Sequence, residues 1–140
     1  NGDIYKGDWK NDKRNGIGKL IWKDGGEYEG NWINNIQDGY GKMRYPDGKV
    51  YKGYWKMNKR ERKGVLIYEN GDEYSGEWRN DRQNENSRYS WKEENRVYSG
   101  GWRDGNMNGE GMMTFGDGTQ YNGIWRDGQL EEITKAKKEE

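Results

Sequence analysis

Tyr28-Glu29-Gly30-Asn31-Trp32 decides how this chain is read, because it recurs. The pattern Tyr-x-Gly-x-Trp starts at Tyr5, Tyr28, Tyr51, Tyr74, Tyr98 and Tyr121 and closes at Trp9, Trp32, Trp55, Trp78, Trp102 and Trp125. Successive starts lie 23, 23, 23, 24 and 23 residues apart. A fixed period of roughly 20–50 residues marks a repeat architecture, in which each unit buries its apolar face only against its neighbours.

Side chains alternate between the two faces of a strand. Tyr5, Gly7 and Trp9 therefore share one face, and Lys6, Asp8 and Lys10 the other. A polar loop follows, ending in Gly16-Ile17-Gly18, and the glycine pair returns as Gly39/Gly41 and Gly109/Gly111. A second strand then places Leu20 and Trp22 on one face. Fifteen residues after each Tyr stand Leu20, Met43, Leu66, Tyr89 and Met113; seventeen after stand Trp22, Tyr45, Tyr68, Trp91 and Phe115. All are apolar or aromatic, so each unit gives two strands to an aromatic inner layer. Asp24-Gly25, Asp47-Gly48, Asn70-Gly71 and Asp117-Gly118 supply the tight hairpin turn to the next unit. The Gly-x-Gly pairs read as steric corners and not as phosphate loops, since no helix or longer glycine pattern follows.

Composition agrees with a sheet built on aromatics. Leu, Ile, Val and Phe number only 15 of 140 residues, a level usual for disorder, but 25 basic residues balance 25 acidic ones. The 8 Trp and 11 Tyr offer another core, each buried ring removing ~150–250 Å² from water. No Cys or His is present, so thiolate, imidazole and triad chemistry are excluded. No carboxylate pair sits in a distinctive constellation, and no calcium-loop pattern occurs. The expectation is a protein without enzymatic activity, cofactor, metal or small-molecule substrate. Zero net charge argues against nucleic acid. No apolar run spans a membrane and no signal peptide is visible, so a cytoplasmic location is expected.

Irregularities fall in three places. The third unit has Arg62 where the first corner glycine belongs, keeping Gly64; the fourth has Glu85 and Ser87 for both, and one extra residue between Ser90 and Asn95. A distorted corner is expected there. Asn1-Gly2 matches the turn that precedes each Tyr, which reads first as a start inside a longer solenoid and otherwise as a terminal unit entered at its second strand. Residues 130–140 break the pattern, with good helix formers and Glu131/Lys135 one turn apart. Two segments follow: a repeat solenoid over 1–129 and a polar, helix-prone tail over 130–140, which either caps the last hairpin or acts as a linker.

The succession Tyr-x-Gly-x-Trp, polar loop, Gly-x-Gly, aromatic and Asp-Gly resembles the MORN repeat (membrane occupation and recognition nexus) over residues 1 to about 129. The resemblance implies an all-β, single-layer antiparallel solenoid of stacked hairpins, about six units long and curved. Roles in that family differ between members, from membrane junctions to ciliary and cytoskeletal assemblies and cradles for partner helices.

Two surfaces are candidates. A one-layer sheet has nothing to cover its inner face, so Trp is expected as core and Tyr as partly accessible. Tyr28, Tyr45, Tyr51, Tyr68, Tyr74 and Tyr98, with Met43 and Met113, then line a groove for a helix or extended segment of a protein partner. The alternative is an anionic phospholipid surface. The residue after each repeat Trp is Lys10, Ile33, Lys56, Arg79, Arg103 and Arg126, and a second cluster holds Lys52, Lys56, Lys59, Arg60, Arg62 and Lys63. The first reading is an interaction scaffold in a cytoskeletal or ciliary assembly; the second is an adaptor at the inner face of a membrane.

Overall fold

The computed structural model describes residues 2–138. Within them lie twelve strands and no helix. The strands are β1 (Ile4–Lys10), β2 (Lys13–Ile21), β3 (Glu27–Ile33), β4 (Ile36–Arg44), β5 (Val50–Lys56) and β6 (Lys59–Ile67). They continue as β7 (Glu73–Arg79), β8 (Arg82–Trp91), β9 (Arg96–Arg103), β10 (Asn106–Phe115), β11 (Gln120–Arg126) and β12 (Gln129–Lys137). They form one open antiparallel sheet in strict chain order, each strand hydrogen-bonded to its sequence neighbours. The single-layer repeat architecture is as the 23-residue period requires.

The two kinds of turn exchange roles relative to expectation. Between the strands of one unit the connection is only two residues long, and both carry positive φ: Asn11/Asp12 at 52° and 62°, Asn34/Asn35 at 47° and 69°, Asn80/Asp81 at 50° and 68°. This is the mirror-image hairpin turn whose twist suits two strands, and Asn and Asp tolerate it best after glycine. It replaces the polar loop read after each Trp. The Asp-Gly turns between units are longer: Gly25 donates to the Trp22 carbonyl at 3.0 Å and Trp22 donates to the Gly26 carbonyl at 2.8 Å. Only the glycine there has positive φ, 96° at Gly25, the mark of a turn closed by a bulge.

Corner glycines sit at bulges on the second strand of each unit, where the register shifts. Gly16, Gly39 and Gly109 have φ of 102°, 107° and 87°, and the non-glycine substitutes Arg62 and Glu85 both adopt 58°. The irregular units therefore keep the corner's backbone and carry the strain in it. The extra residue of the fourth unit is absorbed in the turn between Trp91 and Arg96, where Asn95 supplies the positive φ of 50°.

The tail expectation is corrected. Gln129–Lys137 form β12, with Tyr121 opposite Ala136 and Arg126 opposite Gln129. Helix propensity in a short segment is weak, and the open edge of β11 offers a full row of backbone partners. Asn1, Glu139 and Glu140, which figured in the readings of the two ends, lie outside the described residues.

The core is a zigzag of rings. Tyr5, Tyr28, Tyr51, Tyr74 and Tyr98 each meet the tryptophan of their own unit and that of the next edge to face: Tyr28 with Trp32 at 5.0 Å and Trp55 at 5.5 Å, Tyr51 with Trp55 at 5.1 Å and Trp78 at 5.3 Å. The tyrosine lies over a cross-strand glycine pair, Gly30 opposite Gly41 beneath Tyr28. Its hydroxyl donates to the carbonyl three residues on, Tyr28 to Asn31 at 3.0 Å and Tyr98 to Gly101 at 3.1 Å. The tryptophan Nε1 donates to a carbonyl of the preceding unit, Trp32 to Gly18 at 3.0 Å and Trp78 to Gly64 at 3.2 Å. The polar atoms of Tyr28, Tyr98, Trp32, Trp55 and Trp78 thus find partners, as burial demands. Trp102 departs from this: its Nε1 is buried without a partner.

Candidate functional site

The depth of the tyrosines corrects the expected groove. Tyr28, Tyr51, Tyr74 and Tyr98 are 0% exposed, and Met43 and Met113 are buried beside them. Alternation put them on the inner face correctly; the glycine pairs then let the rings sink onto the backbone. Burial in this apolar layer opposes ionisation, so the Tyr74 and Tyr98 hydroxyls are pushed up to about 12. Those of Tyr28 and Tyr51 are raised further by the same cause. These groups hold the fold and present nothing to a partner.

The accessible part of the inner face is the next row. Trp22, Tyr45, Tyr68, Trp91 and Phe115, one per unit, are half-buried and packed on the core from one side. Of the expected groove residues, Tyr45 and Tyr68 belong here. Lys49 lies 5.3 Å above the Tyr45 ring and the Arg60 guanidinium 5.8 Å from it. Tyr68 accepts a hydrogen bond from Gln83 Nε2 at 3.0 Å, at the rim of a depression of about 250 Å³.

Arg60 is also corrected. Its place in the sequence groups it with the cationic cluster, but it faces inward, its Nε 3.1 Å from Asp81 Oδ1 and its guanidinium 4.5 Å from the Trp78 ring. The bulge at residues 60–64 separates it from its sequence neighbours. Lys52, Lys56, Lys59, Arg62 and Lys63 are exposed. Of these, Lys56, Lys59 and Arg62, with Arg79, line a groove of about 710 Å³ at the intra-unit turns, which Glu61, Glu77 and Glu85 also enter. The ladder does not continue as a stripe: Ile33 interrupts it, and Arg126 is held by Glu131 at 3.0 Å. Arg103 is exposed, opposite Asn106 on the next strand.

The sequence reading missed Tyr40 and Tyr54. They are cross-strand partners on the outer face with ring centroids 4.3 Å apart, 55% and 37% exposed, and Arg62 lies 5.9 Å over Tyr54. A signal existed: they occupy positions that do not recur from unit to unit. Zero net charge hid another. Residues 39–67 contain nine basic and two acidic residues, a surplus of seven, so the rest of the chain carries a deficit of seven.

Comparison with known proteins gives the family. The MORN repeat model matches residues 5–27, 28–50, 51–73, 74–95 and 98–120. No curated protein sequence matches. A solved structure with the same fold is the SAS-4 (dCPAP) TCP domain in complex with a proline-rich motif of Ana2 (dSTIL) from Drosophila melanogaster. Its TM-score is 0.52 at 15% identity, covering 86% of this chain and 73% of that one.

Proposed function

Because this chain belongs to the MORN repeat family, we propose that it is a non-enzymatic interaction scaffold holding an extended segment of a protein partner across its inner face. The observation that carries the reading is the row Trp22, Tyr45, Tyr68, Trp91 and Phe115. One aromatic per two strands gives a spacing of ~9.5 Å across the sheet. A polyproline II helix repeats every three residues at ~9.3 Å. A segment of that conformation laid across the strands sets every third residue between successive rings, which is how aromatic-lined surfaces take proline-rich ligands. The fold's appearance in a domain bound to a proline-rich motif supports the same choice. A cytoplasmic setting within a cytoskeletal or ciliary assembly is part of the proposal and rests on the family resemblance.

The test is fluorescence anisotropy with a labelled proline-rich peptide bearing proline at every third position. Tyr45→Ser with Tyr68→Ser is expected to weaken binding about tenfold or more, since aromatic anchors dominate such contacts. Thermal unfolding of the double variant must remain cooperative. Unchanged affinity in that variant, or no binding by the parent chain, overturns the reading.

A further inference from the structure

We propose that the outer face of the second and third units is a separate docking surface for an acidic segment of a protein partner. The repeats provide their own control, because whatever folding requires must recur. Three residues after each Tyr the outer face carries Asp8, Asn31, Tyr54, Glu77, Gly101 and Ile124; twelve after, it carries Ile17, Tyr40, Lys63, Asn86 and Glu110. The fold imposes no residue type at either position. Yet the two tyrosines meet there, exposed, their rings tilted at 54° to each other, with Arg62 over the Tyr54 ring.

The charges around them are arranged against folding. Lys42 stands directly opposite Lys52, where the equivalent pairs of other units are Lys19 with Glu29, Val65 with Ser75 and Arg88 with Ser99. Like charges facing each other across strands destabilise a sheet. Among the described residues none of Lys42, Lys52, Lys56, Lys59, Arg62 and Lys63 forms an ion pair. An anionic ligand relieves the Lys42–Lys52 repulsion.

The distribution of charge selects the occupant. A bilayer presents a broad negative field, which would meet the deficit of seven carried by the rest of the chain as well as the surplus at residues 39–67. A short acidic segment meets only the surplus, because charges beyond ~8–10 Å are screened. The Tyr40–Tyr54 pair adds a place for one aromatic or proline side chain between the carboxylates. This surface is independent of the inner face, so either proposal can fail alone.

The probe is a fluorescein-labelled glutamate-rich peptide with one central tryptophan, read by anisotropy against the whole chain. Lys52→Glu with Lys63→Glu, and separately Tyr40→Ser with Tyr54→Ser, are each expected to weaken binding about tenfold or more. Lys6→Glu with Lys135→Glu changes net charge equally on the outer face outside the patch and is expected to stay within about twofold. Tyr45→Ser with Tyr68→Ser is expected to bind the acidic peptide as the parent does. Phosphatidylserine vesicles and an oligo(dT) strand are run in parallel. Equal loss in the Lys6/Lys135 control, unchanged binding in the Tyr40/Tyr54 variant, or binding only to vesicles or oligo(dT) overturns the proposal.

Discussion

The ring of Tyr28, on β3, fills the space that a Cβ on Gly41, on β4, would need. The same relation joins Tyr5 with Gly18, Tyr51 with Gly64 and Tyr98 with Gly111. The glycine is required by its neighbour's ring and not by its own backbone angles. Gly41→Ala is therefore expected to destabilise by about 3 kcal/mol, the upper part of the overpacking range. Tyr28→Phe keeps the ring, gives up the bond to the Asn31 carbonyl and is expected to cost about 1 kcal/mol. Urea unfolding of the two variants orders them, and a smaller loss for Gly41→Ala would mean that the ring has room to move.

Trp102 and Trp55 occupy equivalent places with unequal bonding. Trp55 Nε1 donates to the Gly41 carbonyl at 3.2 Å, and Trp102 Nε1 has no partner. Both changes to Phe remove similar apolar volume. Trp102→Phe also removes an unpaired buried donor, so it is expected to cost about 1–2 kcal/mol less than Trp55→Phe. Equal losses by urea unfolding would show that the Trp102 donor is satisfied in solution.

Glu85 holds a left-handed backbone at φ 58°, where Gly16, Gly39 and Gly109 stand in other units. Glu85→Gly relieves that strain and is expected to stabilise by about 1 kcal/mol. A fall in the thermal midpoint would show that the corner is not strained.

The intra-unit turns bind one another across units. Asn35 donates its backbone N–H to the Arg14 carbonyl at 2.9 Å, and its Oδ1 accepts from the Arg14 N–H at 2.8 Å. Gly105 makes the first bond, to the Gln83 carbonyl at 3.3 Å, and has no side chain for the second. Its φ of 85° suits asparagine, so Gly105→Asn is expected to gain about 0.5–1 kcal/mol. Slower amide exchange at Gln83 is the specific readout, and unchanged exchange there would refute the added bond.

Alkaline pH should unfold the protein through its core. Burial raises the Tyr28, Tyr51, Tyr74 and Tyr98 hydroxyls above their ordinary value of 10.0. Above that value the unfolded chain releases protons that the folded chain retains. The contribution is complete below about pH 10 and is lost as pH climbs through the folded values, at about 1.4 kcal/mol per unit for each tyrosine. Phenolate absorbance from these four should appear together with loss of the sheet. Ionisation ahead of unfolding would place the hydroxyls in water.

Much of this was legible in the sequence, and the failures have physical causes. The period, the pairing of two strands per unit and the inward face of Tyr and Trp follow from spacing and alternation. Alternation assigns a face but no depth, so Tyr28 and Tyr51 read as groove although Gly30, Gly41, Gly53 and Gly64 let them sink to zero exposure. Asp-Gly looked like the tighter turn because glycine tolerates positive φ, yet Asn34/Asn35 and Asn80/Asp81 take it twice in succession. Residues 129–137 carry helix propensity, but the edge of β11 outweighs it. Tyr40, Tyr54 and the local surplus of charge were overlooked because repeat analysis favours what recurs and total charge averages what does not.

Strict chain order in the sheet has a mechanical consequence. A pull on the two ends loads the outermost hairpin first, and its rungs meet the force one at a time. The inner hairpins carry the same tension spread over all their rungs and stay closed until the outer ones have opened. Such a sheet yields by peeling at low force, lengthens by successive hairpins and re-forms from whatever remains folded. In an assembly under tension it acts as an extensible strap whose slack is stored a unit at a time.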